Sequence, residues 1–185
     1  QKPGDVVVAT AEVARRIRTM RPKIKSRLIV ARPSDVPKSW NVRLPGDHNR
    51  ANLACAIRAA GALGIPLSVM RRVAESFRGV EGRLERIRLY NSKEIYNDTT
   101  ATTPDATLSG LRALSQKRPV VLIMGGADKG LDMTALIALL PRYVTAVVLL
   151  AGSGTERICR AVHALEHIRI DDASTLDEAV KKALR

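Results

Sequence analysis

From residue 104 to residue 184, helix-length amphipathic runs and strand-length apolar runs alternate: helix 104–114, strand 119–124, helix 133–140, strand 144–150, helix 155–165, strand 167–170 and helix 176–184. Neighbouring parallel strands need a crossover of about a dozen residues, and helices of this length supply it. The alternation therefore predicts an α/β fold with a mostly parallel, doubly wound sheet and right-handed crossovers. Aromatic residues make up only 3% of the chain, supplied by Trp40, Phe77, Tyr90, Tyr96 and Tyr143. The core must then be built from Ala, Val, Leu and Ile, as suits strands buried on both faces.

Upstream, the pattern reads strand 5–9, helix 11–20 and strand 27–31, followed by a loop broken by Pro33, Pro37 and Pro45. Gly46-Asp47-His48-Asn49 opens a long alanine-rich helix, 51–63, which Gly64 ends; Pro66 starts another that runs to Phe77. Gly79 and Gly82 mark a boundary, after which 83–90 and 94–96 flank Asn91-Ser92-Lys93 as a hairpin or two short strands. Two parts are expected, residues 1–81 and residues 82–185.

Composition removes several functional classes. The formal charge is +13, carried unevenly: residues 1–43 hold 11 basic and 3 acidic side chains, and residues 44–185 hold 20 and 15. The cations Arg15, Arg16, Arg18, Arg21, Lys23, Lys25 and Arg27 have no aromatic among them. A solvated face is therefore expected, rather than a nucleic-acid site in which stacking rings accompany the charge. Cys55 and Cys159 sit in apolar helical patterns and read as thiols of a reducing cytoplasm, not as a disulfide. Neither they nor His48, His163 and His167 show metal-ligand spacing, and no metal site is expected in this chain. No apolar run approaches the ~20 residues of a membrane span, and no signal-peptide core follows Gln1. Because Gln1 is not an initiator Met, the chain is expected to begin inside a longer protein or after processing.

In an open parallel sheet, ligands bind beyond the carboxyl ends of the strands, which selects three loops. The loop 97–103 places Asn97 and Asp98 at a strand end before Thr99, Thr100, Thr102 and Thr103, with Pro104 starting a helix. Backbone N–H groups and hydroxyls at a helix N-terminus suit an anion or a ribose, although Thr103 alone would cap the helix. The loop 125–132 follows an apolar strand with Gly125, Gly126 and Gly130 around Lys129. It reads equally as a site where a point charge meets a carboxylate or as a plain turn with a local ion pair to Asp128 or Asp132. The third, Gly152-Ser153-Gly154, imitates a dinucleotide fingerprint with Asp171 or Asp172 downstream, but Arg157 occupies the place of the third glycine and argues against it.

Four segments together, Leu44-Pro-Gly-Asp-His-Asn-Arg-Ala-Asn52, Gly82-Arg-Leu-Glu85, Asn97-Asp-Thr-Thr-Ala-Thr-Thr-Pro104 and Gly125-Gly-Ala-Asp-Lys-Gly-Leu-Asp132, resemble the Mur ligase family in order and spacing. Within that family they are most similar to the branch that adds D-glutamate to UDP-N-acetylmuramoyl-L-alanine in peptidoglycan synthesis. The resemblance implies a cytoplasmic, monomeric three-domain enzyme that uses ATP with magnesium and closes a Rossmann-like C-terminal domain over a central ATPase domain. Residues 82–185 would be the amino-acid-binding C-terminal domain, incomplete at its end, and residues 1–81 the tail of the central one. By the same resemblance, Asn52 falls near the adenine, Arg83 on the phosphates and Asp98 on the ribose, while Lys129 and Thr102 fall where the amino acid is held. Arg83 and Lys129 are thus the implied catalytic residues. An Arg can stabilise transferring phosphate, and a Lys can neutralise a substrate carboxylate.

The chain departs from the family pattern in instructive places. Thr100 stands where a Lys is usual, and Gly82 where a His often precedes the Arg. No Gly-Lys dipeptide occurs, so the phosphate-cradling P-loop is absent, and the magnesium-binding and nucleotide-sugar-binding segments would lie upstream. The expectation is a part of an ATP-dependent amide ligase that turns over nothing by itself. The alternatives are a Mur-type ligase for another amino acid and a stand-alone nucleotide- or amino-acid-binding module.

Overall fold

The computed structural model describes residues 2–20, 25–116 and 118–185, which form two compact units, Gln1–Val80 and Glu81–Arg185. Arg21 and Lys23 of the basic run, and Gln1, lie outside the described residues.

In the first unit, strands β1 (Val6–Thr10) and β2 (Arg27–Ala31) pair in parallel with Val6 opposite Arg27 and Thr10 opposite Ala31. Helix α1 (Ala11–Met20) is the crossover between them, and its exposed Arg15, Arg16 and Arg18 face solvent. After a 3₁₀ turn at Pro33–Asp35 come α2 (Asp47–Ala62) and α3 (Leu67–Ser76). The apolar centre is Ala31, Val36, Trp40, Ala54, Ile57 and Ala74. Helix α2 begins one turn earlier than the alanine run suggests. Asp47 places a carboxylate in the first turn, where the helix dipole favours it, and Asn49 Nδ2 donates to the Pro45 carbonyl at 2.8 Å.

The second unit opens with β3 (Glu85–Tyr90) and β4 (Lys93–Asn97), an antiparallel hairpin closed by Asn91 and Ser92. Both turn residues have positive φ, 46° and 63°, the geometry whose twist suits a two-residue hairpin. Helix α4 (Pro104–Leu114) follows, capped by the Thr103 hydroxyl, which accepts from the Ala106 N–H. The parallel sheet is formed by β5 (Val121–Gly125), β6 (Ala146–Leu150) and β7 (Arg169–Ala173), in that order, linked by α5 (Thr134–Tyr143) and α6 (Ser153–His163) and followed by α7 (Leu176–Ala183). Helix α5 continues past Pro141, where the pattern suggested a stop. The ring removes one donor in the last turn, and the Val144 N–H still closes on the Leu140 carbonyl at 3.0 Å.

Central strand β6 organises this unit. Val147 and Leu149 pack with Leu108, Leu111, Leu136, Leu140, Ile158 and Val162 on one face, and Val148 packs with Ala173 and Ala179 on the other. Helices therefore cover both faces, as the mostly parallel doubly wound class requires. Leu136→Ala, at a side chain with no exposed surface, should lower unfolding free energy by about 2–5 kcal/mol in urea titration.

Candidate functional site

The loops that carry the candidate residues fall into two groups within the second unit. Asp98 and Thr102 leave the β3–β4 hairpin, which is a separate two-stranded sheet, whereas Lys129 lies beyond β5 of the parallel sheet. The expectation that all three loops top one sheet is therefore corrected. Strand β4 spends its ladder hydrogen bonds on β3, and of the three loops those after β5 and β6 top the parallel sheet.

The first group joins two segments remote in sequence. Gly82, Arg83 and Leu84 form a bend immediately before β3, and Asp98 to Thr103 follow β4. The Leu84 N–H donates to Asp98 Oδ1 at 2.9 Å. The Gly82 carbonyl accepts from Thr100 twice, from the N–H at 3.0 Å and from the hydroxyl at 2.7 Å. Glu85 Oε2 accepts from the Gly82 N–H at 3.0 Å and from Asn97 Nδ2 at 3.2 Å. The structure thus brings the Arg83 backbone and the Asp98 carboxylate together, with the Arg83 and Thr102 side chains exposed and Asp98 half-buried. The two departures from the family pattern also meet here: a Cβ on Gly82, at φ +72°, would lie 3.0 Å from Thr100 Cγ2.

The second group pins the loop that presents Lys129. Gly154 N–H donates to the Gly126 carbonyl at 2.9 Å, and Asp128 N–H to Ser153 Oγ at 3.0 Å. Arg157 lies 3.1 Å from Asp128 Oδ1 and also donates to the Leu131 carbonyl. The Arg that spoils a dinucleotide fingerprint is therefore a strut for the neighbouring loop. Within that loop Gly130 N–H donates to Asp128 Oδ1, and Thr134 N–H to Asp132 Oδ1, both at 2.9 Å. The Thr134 hydroxyl and backbone, with the Arg157 charge, hold the Asp132 carboxyl below its ordinary range. Lys129 itself is exposed on this braced turn.

Asn52 belongs to the first unit, exposed on α2. The sequence assigned no supporting task to Glu85, Gly110, Ser153 or Arg157; Glu85 lies inside the Gly82–Glu85 motif and Ser153 and Arg157 in or beside the Gly152–Gly154 turn, whereas nothing in the pattern marked Gly110. Among the described residues no group of three or more His, Cys, Asp or Glu could hold a metal ion, and no helix is long and apolar enough to cross a membrane.

Comparison with known proteins gives a consistent family. The family model described as Mur ligase, glutamate ligase domain, matches residues 82–185. A UDP-N-acetylmuramoylalanine–D-glutamate ligase of Roseiflexus sp. (strain RS-1) is 40% identical over 126 residues, covering 68% of this chain and 27% of that protein. The protein of the same name from Clostridium botulinum (strain Alaska E43 / Type E3) is 40% identical over 154 residues, 80% of this chain and 33% of its own. The chain thus spans about a third of the length of these curated relatives. Among solved structures, MurF from Acinetobacter baumannii superposes with a TM-score of 0.71 at 17% identity, over 99% of this chain and 45% of that one. The UDP-N-acetylmuramate-alanine ligase MurC of Thermotoga maritima gives 0.61 at 22% identity, over 76% and 32%. At those identities the likeness concerns the fold.

Two outcomes test the braced loop. Arg157→Ala should cost at most about 1 kcal/mol, because the ion pair is partly exposed, yet should speed amide hydrogen exchange across residues 128–132. Asp132 has a lowered folded pKa, so its contribution to stability is present above the ordinary carboxyl value of about 3.9 and is lost as pH falls through the folded value. Thr134→Ala should move the Asp132 midpoint up toward that ordinary value in a carboxyl-carbon NMR titration.

Proposed function

Since the chain belongs to the Mur ligase family, we propose that it is the C-terminal part of an ATP-dependent ligase that joins D-glutamate to UDP-N-acetylmuramoyl-L-alanine in the cytoplasm. The observation that carries this reading is the 40% identity, over 80% of the chain, to a relative that bears that name. Residues 82–185 serve as the amino-acid-binding domain and residues 1–81 as the tail of the ATP-binding domain; the enzyme acts as a monomer.

The chemistry gives each candidate residue a task. A carboxylate oxygen of the precursor attacks the γ-phosphorus of ATP and ADP leaves; the amine of D-glutamate then attacks the acyl carbon, expelling phosphate and losing a proton as the amide forms. Transfer of this kind relies on positioning and charge neutralisation more than on covalent help from the protein. The Arg83 guanidinium stabilises charge on the phosphates, Asp98 accepts from the ribose hydroxyls, and the Asn52 amide meets the adenine. Lys129 neutralises a carboxylate of D-glutamate, and Thr102, on the loop after β4, donates to it. Magnesium would offset charge on the ATP phosphates, and its ligands are expected outside this chain.

A second reading, a Mur-type ligase for a different amino acid, is favoured by one observation: Thr100 stands where a cation is usual, and its hydroxyl is committed to the Gly82 carbonyl. Phosphate release by the ligase containing this chain, with ATP, magnesium, the muramoyl precursor and a panel of amino acids, separates the two. D-Glutamate should be the preferred amine, and preference for another would select the second reading. Lys129→Ala should raise the KM for D-glutamate at least about tenfold through loss of a charge-assisted contact, and Arg83→Ala should lower kcat about 100-fold or more. The 185-residue chain alone should release no phosphate.

A further inference from the structure

The bend that carries Arg83 holds a leucine in a conformation that it does not favour. Gly82 has φ +72° and Leu84 φ +44°, and a leucine stays in the left-handed region only where its surroundings over-determine it. Here they do. Leu84 is 7% exposed, and its N–H is bonded to Asp98. That N–H belongs to the peptide plane following Arg83, while the Gly82 carbonyl, bonded twice to Thr100, belongs to the plane preceding it. With both flanking planes tied to the segment after β4, the two backbone dihedrals of Arg83 are set, and with them the direction in which its Cα–Cβ bond points.

The tie to Asp98 needs space in α4. A Cβ at Gly110 would lie 2.8 Å from Asp98 Oδ2 and 3.3 Å from Leu84 Cδ2. Glycine in a helix interior is otherwise unfavourable, so its presence on the buried face of α4 is accounted for by the carboxylate and the leucine that approach it.

We propose that Thr100 and Gly110 are positioning residues for Arg83. Thr100 fixes the peptide before it, and Gly110 leaves the room in which Asp98 fixes the peptide after it. The inference rests on the assignment of Arg83 to the phosphates of ATP. A guanidinium that must meet charge as it develops gains from being aimed in advance, because no reorganisation is then required during the reaction.

The test uses Thr100→Val, Thr100→Ser and Gly110→Ala in the ligase that contains this chain, with Arg83→Ala as reference. Loss of the hydroxyl in Thr100→Val should lower kcat about tenfold, one hydrogen bond expressed as a rate, with the KM for D-glutamate within about twofold of the parent. Thr100→Ser should restore kcat, which a general packing role for the threonine methyl would not allow. Gly110→Ala should lower kcat by a similar or larger factor although alanine is the better helix former. In parallel, nitrogen-15 spectra of the 185-residue chain should show the Arg83 and Leu84 amides displaced in Thr100→Val and returned in Thr100→Ser. Unmoved Arg83 and Leu84 resonances, or parental kcat in Thr100→Val beside a crippled Arg83→Ala, would overturn the proposal. Parental kcat in Arg83→Ala would instead remove the phosphate assignment, leaving the spectra to decide whether the bend is held as described.

Discussion

Burial of β6 on both faces is the constraint from which the geometry of the second unit follows. Ala146, Val147, Val148 and Leu149 are each almost wholly withdrawn from solvent, so apolar helices must cover both sides of the strand. With β5 and β7 paired in parallel on its two edges, every connection has to cross back over the sheet. The loop after β5 and the start of α6 are thereby delivered to the same end of adjacent strands. Their mutual hydrogen bonds, from Gly154 to Gly126 and from Asp128 to Ser153, follow from that placement. The bracing of the Lys129 turn is in this sense a property of the sheet.

The alternation of apolar runs made this part of the fold legible. Helix 104–114 coincides with α4, and the hairpin turn falls at Asn91 and Ser92. Element ends were less legible where a side chain far away, or a single lost donor, decides them, as at Pro141. Periodicity also says nothing about which small sheet a strand joins. Strand β4 has the spacing of any short strand, yet its pairing with β3 separates the Asp98 loop from the parallel ladder. The candidate residues were visible as motif residues; their supports were not. Glu85, Thr100, Gly110 and Arg157 act through one or two hydrogen bonds, an ion pair or the absence of a side chain, reaching partners 12 to 29 residues away in sequence, and such contacts leave no repeating trace.

The departures from the family pattern acquire a physical sense once they are seen to touch. Taken separately, a missing cation at residue 100 and a missing imidazole at residue 82 suggest a weakened site. Taken together, they form one contact: a glycine that can adopt φ +72° turns its carbonyl toward a threonine whose hydroxyl and N–H both bond to it. A larger residue at position 82 would meet Thr100 Cγ2 and Thr99 Oγ1 at 3.0 and 3.1 Å, and a strained backbone besides. The two substitutions are compatible with each other in a way that either one combined with its usual partner is not required to be.

The same region gives Asp98 a structural role beside the ligand contact proposed for it. Placing Leu84 at a positive φ costs about 1–2 kcal/mol, as the left-handed region does for any residue with a Cβ. A hydrogen bond to a charged acceptor contributes roughly 1.5–3 kcal/mol, and burying the leucine side chain about 1.5–3 kcal/mol, so the two together offset the strain with a modest surplus. Remove the carboxylate and the leucine must hold the bend by packing alone, at a margin comparable to the strain itself. Asp98 thus has one task the structure shows, an oxygen that fixes the backbone beside Arg83, and a second that is proposed, the contact to ribose. Loss of Asp98 would on this account disturb phosphate and ribose contacts together, and a defect in ATP use after its substitution would not measure the ribose contact by itself.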